Sequence, residues 1–216
     1  MGKVGGRYVV WDFNGTILDD VQTGINSINV LLSRRGLPTL DGVEDYHAHF
    51  GFPIIEYYRG LGFDFEKEPF SQIAPEWVEQ YDKFVVDAPL CDDVTETVER
   101  FRAAGWRQVI LSATKQDMLE RQLDELGIRA LFDEALGMDT IEAHTKLPAG
   151  RAWVKRARPE YAVMIGDTIH DAQVAKEIGV DCVLVARGHQ SRSTLEAAGA
   201  PVFDTLPDAA TFILNK

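Results

Sequence analysis

Residues 8–20 read YVVWDFNGTILDD: an apolar run that ends in an aspartate, followed by a glycine turn, a hydroxyl and two more carboxylates. The Asn14-Gly15 pair between YVVWDF and TILDD is a strong hairpin signal, because both residues tolerate positive φ. Taken alone, the stretch supports a plain hairpin as readily as a site. A second stretch decides between them. In MIGDTIHD, residues 164–171, an apolar strand again ends in an aspartate, Asp167, and Asp171 follows four residues later. A helix starting there lets the two carboxylates face one another across its first turn. Like charges so placed repel unless a cation lies between them, and hard oxygen ligands suit Mg²⁺.

The chain around these stretches alternates apolar runs with helical patterns from residue 90 onward. Trp106–Leu111, Ala130–Leu136, Tyr161–Ile165, Cys182–Val185 and Val202-Phe203 read as strands. Helical faces separate them: Met118, Leu119, Gln122, Leu123 and Leu126 before Gly127; Leu147–Arg156 before Pro159; Val174, Ala175 and Ile178 before Gly179; and a last helix from Pro207. Asp93 and Glu96 have capping-box spacing ahead of Val94, Val98 and Phe101. This β-α-β-α rhythm predicts an α/β fold with a doubly wound parallel sheet. Residues 19–88 break it. Val21, Ile25, Ile28 and Leu32 form one helical face, and Ile73, Trp77, Tyr81 and Phe84 form another, with no strand between them. The expected division is a discontinuous core, 1–18 with 89–216, and an all-helical insertion, 19–88. An insertion after the first strand hangs over the carboxyl edge of the sheet, where open α/β folds bind ligands.

Composition narrows the chemistry. A chain of 216 residues, 45% hydrophobic, can bury a core and carry an inserted lobe. A net charge of −12 argues against nucleic acid and against an anionic membrane surface. The two cysteines, Cys91 and Cys182, have no metal spacing and are read as reduced thiols. No stretch approaches the length of a membrane span, and the N-terminus has no signal-type core, so a cytoplasmic protein is expected.

Parallel strands bring Asp12 and Asp167 to one edge. Ser112, after the apolar run VIL, and Lys146, opening a helix after His144-Thr145, fit the same edge. The ordered set DFNGT, LSAT, Lys146 and GDTIHD resembles the four motifs of the haloacid dehalogenase superfamily, and most resembles its phosphoglycolate phosphatase-like subgroup. The resemblance runs through the whole chain and implies a Rossmann-like core with a helical cap. It also implies a small phosphorylated substrate, and a monomer or weak homodimer is expected.

By that resemblance Asp12 is the nucleophile and forms an aspartyl-phosphate. Mg²⁺ is held by Asp12, the backbone carbonyl of Asn14, Asp167 and Asp171. Ser112, Ala113, Lys146 and the backbone around Phe13, Gly15 and Thr16 surround the phosphoryl oxygens. Asp19 or Asp20 supports the hinge toward the cap, and Arg59 is the cap cation to test against a substrate anion.

One departure stands out. The family's phosphatases place a second aspartate two residues after the nucleophile, and this chain has Asn14. An amide cannot trade a proton near neutral pH, so the acid/base step is lost while metal binding is expected to survive. That step is worth roughly 10²–10⁴-fold in rate where it matters. Three readings follow: a phosphatase slow on plain monoesters, a hydrolase of activated phosphates, or a weakened phosphate- or partner-binding protein. His170 is a possible substitute base, though an exposed helix histidine is expected. His47 and His49, at i and i+2, point to different helix faces and make no metal pair. Phe50–Pro53 form a turn facing the substrate, Lys115 is a further cation near Ser112, and Gly188-His189-Gln190 receive no role.

Overall fold

The computed structural model describes residues 5–139 and 145–216. Strand β1 (Arg7–Trp11) feeds four helices: α1 (Val21–Arg34), α2 (Gly42–His49), α3 (Ile54–Gly60) and α4 (Phe70–Phe84). Then come α5 (Val94–Ala103), β2 (Arg107–Lys115), α6 (Gln116–Glu125), β3 (Glu134–Met138), α7 (Leu147–Ala157) and β4 (Tyr161–Gly166). The chain finishes with α8 (Ile169–Ile178), β5 (Asp181–Val185), α9 (Arg192–Glu196), β6 (Val202–Phe203) and α10 (Leu206–Leu214).

The six strands form one sheet in the order β3-β2-β1-β4-β5-β6, and every pairing is parallel. The hairpin is thereby excluded. Trp11 lies opposite Ile110 on one side and Ile165 on the other, so β1 is central and has no room for a return strand. Strand order reverses between β1 and β4, the switch point beyond whose carboxyl ends such sheets bind ligands. Asp12 and Asp167 each follow one of those two strands.

Alternation along the strands divides the core. Val9, Trp11, Ile110, Val163 and Ile165 pack beneath Val98 and Phe101 of α5 and Ile213 of α10. The opposite face places Tyr8, Val10, Leu111 and Met164 against Trp153 of α7 and Val174 and Ile178 of α8. These are the two faces of one pleat, as a period of two dictates. The inserted helices have their own apolar cluster, in which Ile25, Ile28 and Leu32 of α1 meet Tyr57, Tyr58 and Ile73. The two passages joining them to the sheet run side by side: Leu18 bridges Leu90, and the Asp19 N–H donates to the Pro89 carbonyl at 2.9 Å.

Three local expectations need correction. The α5 helix starts where expected, but Asp93 makes no side-chain cap; its carboxylate pairs with Arg187 at 2.5 Å and accepts from the Leu206 N–H at 3.2 Å. The strand expected at 130–136 begins later, because Arg129–Leu131 form a 3₁₀ turn first. Strand β2 continues past Leu111 to Lys115, which pairs with Met138 after a register shift, so Ser112 lies within the strand and not at its end. Among the described residues, no helix is long and apolar enough to cross a membrane. His144 falls outside the described residues.

Candidate active site

The turn after β1 is built on one carbonyl. Phe13 accepts from the Ile17 and Leu18 N–H groups at 2.8 and 2.9 Å, and Gly15 takes φ +71° within the turn. That tight loop aims Asp12 at the space beyond β4. The strand-to-helix turn after β4 is fixed differently: Thr168 caps α8, and Asp171 Oδ2 accepts from the Thr168 N–H (2.9 Å) and hydroxyl (2.6 Å). Both devices are local, yet they converge.

One carboxylate oxygen from each of Asp12, Asp167 and Asp171 lies within 4.8 Å of the others, and all three residues are buried. The Lys146 ammonium, on the residue before α7, contacts Asp12 and lies 2.6 Å from Asp171 Oδ1. Asp167 Oδ1 accepts from the Thr16 hydroxyl at 3.0 Å and Oδ2 from the His189 N–H at 2.6 Å. Burial, with Asp171 and Asp167 nearby, holds the Asp12 carboxyl well above its usual range despite Lys146. Burial and Asp171 likewise raise Asp167. Asp171 is held low because Lys146 and Thr168 outweigh its burial. Burial works against the charge on Lys146, but Asp12 and Asp171 keep it firmly protonated. Three carboxylates against one ammonium leave a charge deficit that a hard divalent cation fits. Space is reserved as well: a Cβ on Gly188 would come 2.1 Å from Asp167 Oδ2, and one on Gly15 2.3 Å from it.

Asn14 is locked in place. Its amide nitrogen donates to Asp20 Oδ2 and to the Tyr81 hydroxyl, each at 2.8 Å, and its oxygen accepts from the Thr114 hydroxyl at 2.7 Å. The carboxylate can only accept, which fixes the amide orientation. Asp20, at the head of α1, also accepts from the Gly15 N–H (2.8 Å) and the Tyr81 hydroxyl (2.6 Å), and lies 3.2 Å from His189 Nε2. Although burial opposes ionisation, His189, Tyr81 and Asn14 bring the Asp20 pKa below the ordinary carboxylate value. Burial also disfavours the His189 cation, but Asp20, Asp167 and Asp12 outweigh it and raise that pKa to about 9. Protonated, the ring donates from both nitrogens, to Asp20 and to the Tyr46 hydroxyl at 2.9 Å.

Above the carboxylates lies a cavity of about 260 Å³. The sheet and its loops contribute Asp12, Asn14, Ala113 and Lys146 to the lining, and the inserted lobe contributes rings, among them Phe50, Phe52, Tyr57 and Trp77. The turn at Phe50–Pro53 thus faces the site as expected. Two other expectations fail, those for Arg59 and for His170. Arg59 is exposed, pairs with Glu56, stacks over Phe65, and does not line the cavity. The Phe13 side chain belongs to the sheet core, and Gly15, Thr16 and Ser112 are buried around the site without lining the cavity. Ser112 Oγ accepts from the Thr114 N–H at 3.0 Å. His170 is half-buried, not exposed: its ring stacks on Phe52 with centroids 4.5 Å apart, and burial with Lys146 lowers its pKa. His47 and His49 go separate ways, to the Gly188 carbonyl and to Asp45. His189, without a role by sequence, follows strand β5 at the sheet edge that carries Asp12 and Asp167, and that position after a strand is the signal that marks it.

Residues 9–185 match the family model for haloacid dehalogenase-like hydrolases, and the chain belongs to that family. Among curated relatives, it is 26% identical over 225 residues to a phosphoglycolate phosphatase of Caulobacter vibrioides, covering 98% of this chain and 93% of the relative. It is also 26% identical over 200 residues to the pyrophosphatase PpaX of Bacillus velezensis, covering 88% and 87%. Among solved structures, a haloacid dehalogenase-like hydrolase of Streptococcus pneumoniae superposes with a TM-score of 0.81 at 16% identity, over 97% of this chain and 98% of that one, which shows the shared fold.

Proposed function

We propose that the protein is a Mg²⁺-dependent phosphohydrolase acting on a small phosphorylated metabolite through an aspartyl-phosphate on Asp12. The observation that carries this is the convergence of Asp12, Asp167 and Asp171 on one point beside Lys146, at the switch point of the sheet. Asp12, Asp167 and Asp171, with the Asn14 backbone carbonyl, would hold the ion. When bound, the ion supplies positive charge that offsets the carboxylates and the incoming phosphate.

The chain's own groups divide the rest. An Asp12 oxygen attacks phosphorus, and water later cleaves the acyl-phosphate, so one hard step becomes two. Lys146 holds Asp12 in place and balances the phosphoryl charge. Ser112 accepts from the Thr114 N–H and so holds in place the Ala113-Thr114 segment that lines the cavity beside the phosphoryl oxygens. The helical lobe, 19–88, acts as a cap that excludes water and shapes the space for the leaving group.

Asn14 favours a second emphasis. Its two N–H donors are engaged by Asp20 and Tyr81, and an amide offers no exchangeable acid. A leaving group that departs without a proton therefore suits this site better than an alkoxide, which places activated phosphates ahead of plain alkyl esters. A decayed binding protein is disfavoured because the carboxylates, Lys146 and the glycine clearances around Asp167 are all kept. The test is phosphate release from acetyl phosphate, pyrophosphate, and alkyl and aryl monoesters, with Mg²⁺ and with chelator, for wild type and Asp12→Asn. Metal-dependent release that vanishes in the variant supports the reading. Release unaffected by Asp12→Asn, or absent throughout, refutes it.

A further inference from the structure

The leaving-group end of the cavity differs in chemistry from the phosphate end. Phe50, Phe52, Tyr57, Trp77, Met118 and Met138 contribute to its lining. Phe52 and His170 stack nearly parallel, at 19°, and Trp77 stacks on Tyr81 at 27°, so flat ring faces border the space. A substrate with a second anionic group needs a cation there. Among the described lining residues, Lys146 is engaged by Asp12 and Asp171, and Lys115 pairs with Asp117 at 2.7 Å. His189 faces Asp20, and the His170 ring is stacked on Phe52 with its Nε2 3.2 Å from the Thr145 hydroxyl. Arg59 lies outside the cavity. Burying a carboxylate or second phosphate among these rings without a partner is costly.

Asn14 supplies an independent constraint. With no proton to donate, the bond to phosphorus breaks only if the departing oxygen is stable as an anion. A phenol, whose pKa is about 10 in tyrosine, meets that need far better than an alkanol. Size agrees as well. An apolar cavity of about 150 Å³ suffices for benzene, so the 260 Å³ here hold one ring together with a phosphate.

We propose that the substrate is an aryl phosphate, the phosphate ester of an apolar phenol carrying no second anionic group. The inference rests on the phosphohydrolase reading above. In the first step an Asp12 oxygen bonds to phosphorus and the P–O(aryl) bond breaks, its electron pair leaving on a phenolate. In the second, water attacks phosphorus and the P–O(Asp12) bond breaks, restoring the carboxylate. The water's proton balances the phenolate, so the products are phenol and inorganic phosphate.

The test is initial-rate phosphate release by the intact protein with Mg²⁺ on phenyl phosphate, ethyl phosphate, 2-phosphoglycolate, pyrophosphate and acetyl phosphate. The expected kcat/KM on phenyl phosphate exceeds those on ethyl phosphate and 2-phosphoglycolate by about 100-fold, the low end of a missing acid's effect plus ring binding. Across substituted phenyl phosphates, kcat rises steadily as the phenol pKa falls. Phe52→Ala lowers kcat/KM on phenyl phosphate about tenfold more than on acetyl phosphate, equivalent to about 1.4 kcal/mol of ring contact. Turnover of 2-phosphoglycolate or pyrophosphate above phenyl phosphate overturns the aryl assignment and leaves the phosphohydrolase standing. Absence of release from every compound overturns both.

Discussion

Replacing Asn14 with aspartate changes one nitrogen for oxygen and tests the chemistry at its most unusual position. The amide nitrogen now lies 2.8 Å from Asp20 Oδ2, at a part-buried position that lines the cavity. Two carboxylates there repel by about 4 kcal/mol at 4 Å and an effective dielectric of ~20, which is about three pKa units. The pair therefore shares one proton near neutral pH, donated along the former Asn14–Asp20 bond. The introduced carboxyl becomes the general acid that the wild type lacks. For ethyl phosphate, kcat should rise by about 10²–10⁴-fold; for phenyl phosphate the gain is smaller, because phenolate leaves without help. Acetyl phosphate should show almost none. The assay is the same phosphate-release panel run from acid to alkaline pH, where a new descending limb at high pH reports loss of the shared proton. A gain equal on ethyl and acetyl phosphates, or no gain on ethyl phosphate, would falsify the assignment of Asn14 as a missing acid.

Other expectations can be checked by stability and reactivity. Mg²⁺ at about 100 times its Kd should stabilise the fold by about 2.7 kcal/mol, a rise in Tm of roughly 5–10 °C for a chain of this size. Gly188→Ala, whose Cβ would overlap Asp167 Oδ2, should fold yet show little of that rise in differential scanning calorimetry; an undiminished shift would place the ion elsewhere. Tyr81→Phe removes a 2.6 Å bond to the Asp20 carboxylate and should cost about 2 kcal/mol. Circular dichroism should show a fall of roughly 4–8 °C in Tm, and an unchanged Tm would mean the network contributes little. Burial raises the Cys91 thiol to about 12 and the Cys182 thiol higher still, so at pH 8 both remain protonated. Neither should react with a disulfide reagent until the protein is denatured, and rapid labelling of Cys91 in the native state would contradict its burial.

The sheet and its acidic edge were legible because they depend on short-range signals. An apolar strand ending in aspartate says where that aspartate goes once the sheet is parallel, so Asp12 and Asp167 were placed together although 155 positions separate them. Gly179 closing α8 in the left-handed conformation was equally local. What failed was set by partners far away. Asp93 looked like a cap until Arg187 and the Leu206 N–H, 94 and 113 residues on, claimed its carboxylate. Ser112 looked like a strand end because hydropathy falls there, but pairing with β3 carries the strand on to Lys115. Arg59 was expected to face the substrate. Helical periodicity says that a side chain shares a face with others, not whether that face meets the cavity or water. The Asn14–Asp20–Tyr81–His189 network joins a turn, two helices of the inserted lobe and a loop after β5. Only the docking of that lobe assembles it, so no window of sequence contains it.

The most direct trial is diffraction from crystals soaked in Mn²⁺, an anomalous scatterer standing in for Mg²⁺. One strong peak flanked by the side-chain oxygens of Asp12 and Asp167 is what the account requires, and it should vanish in Asp167→Asn crystals. Saturating metal with that point bare, or a peak that persists without Asp167, would contradict it.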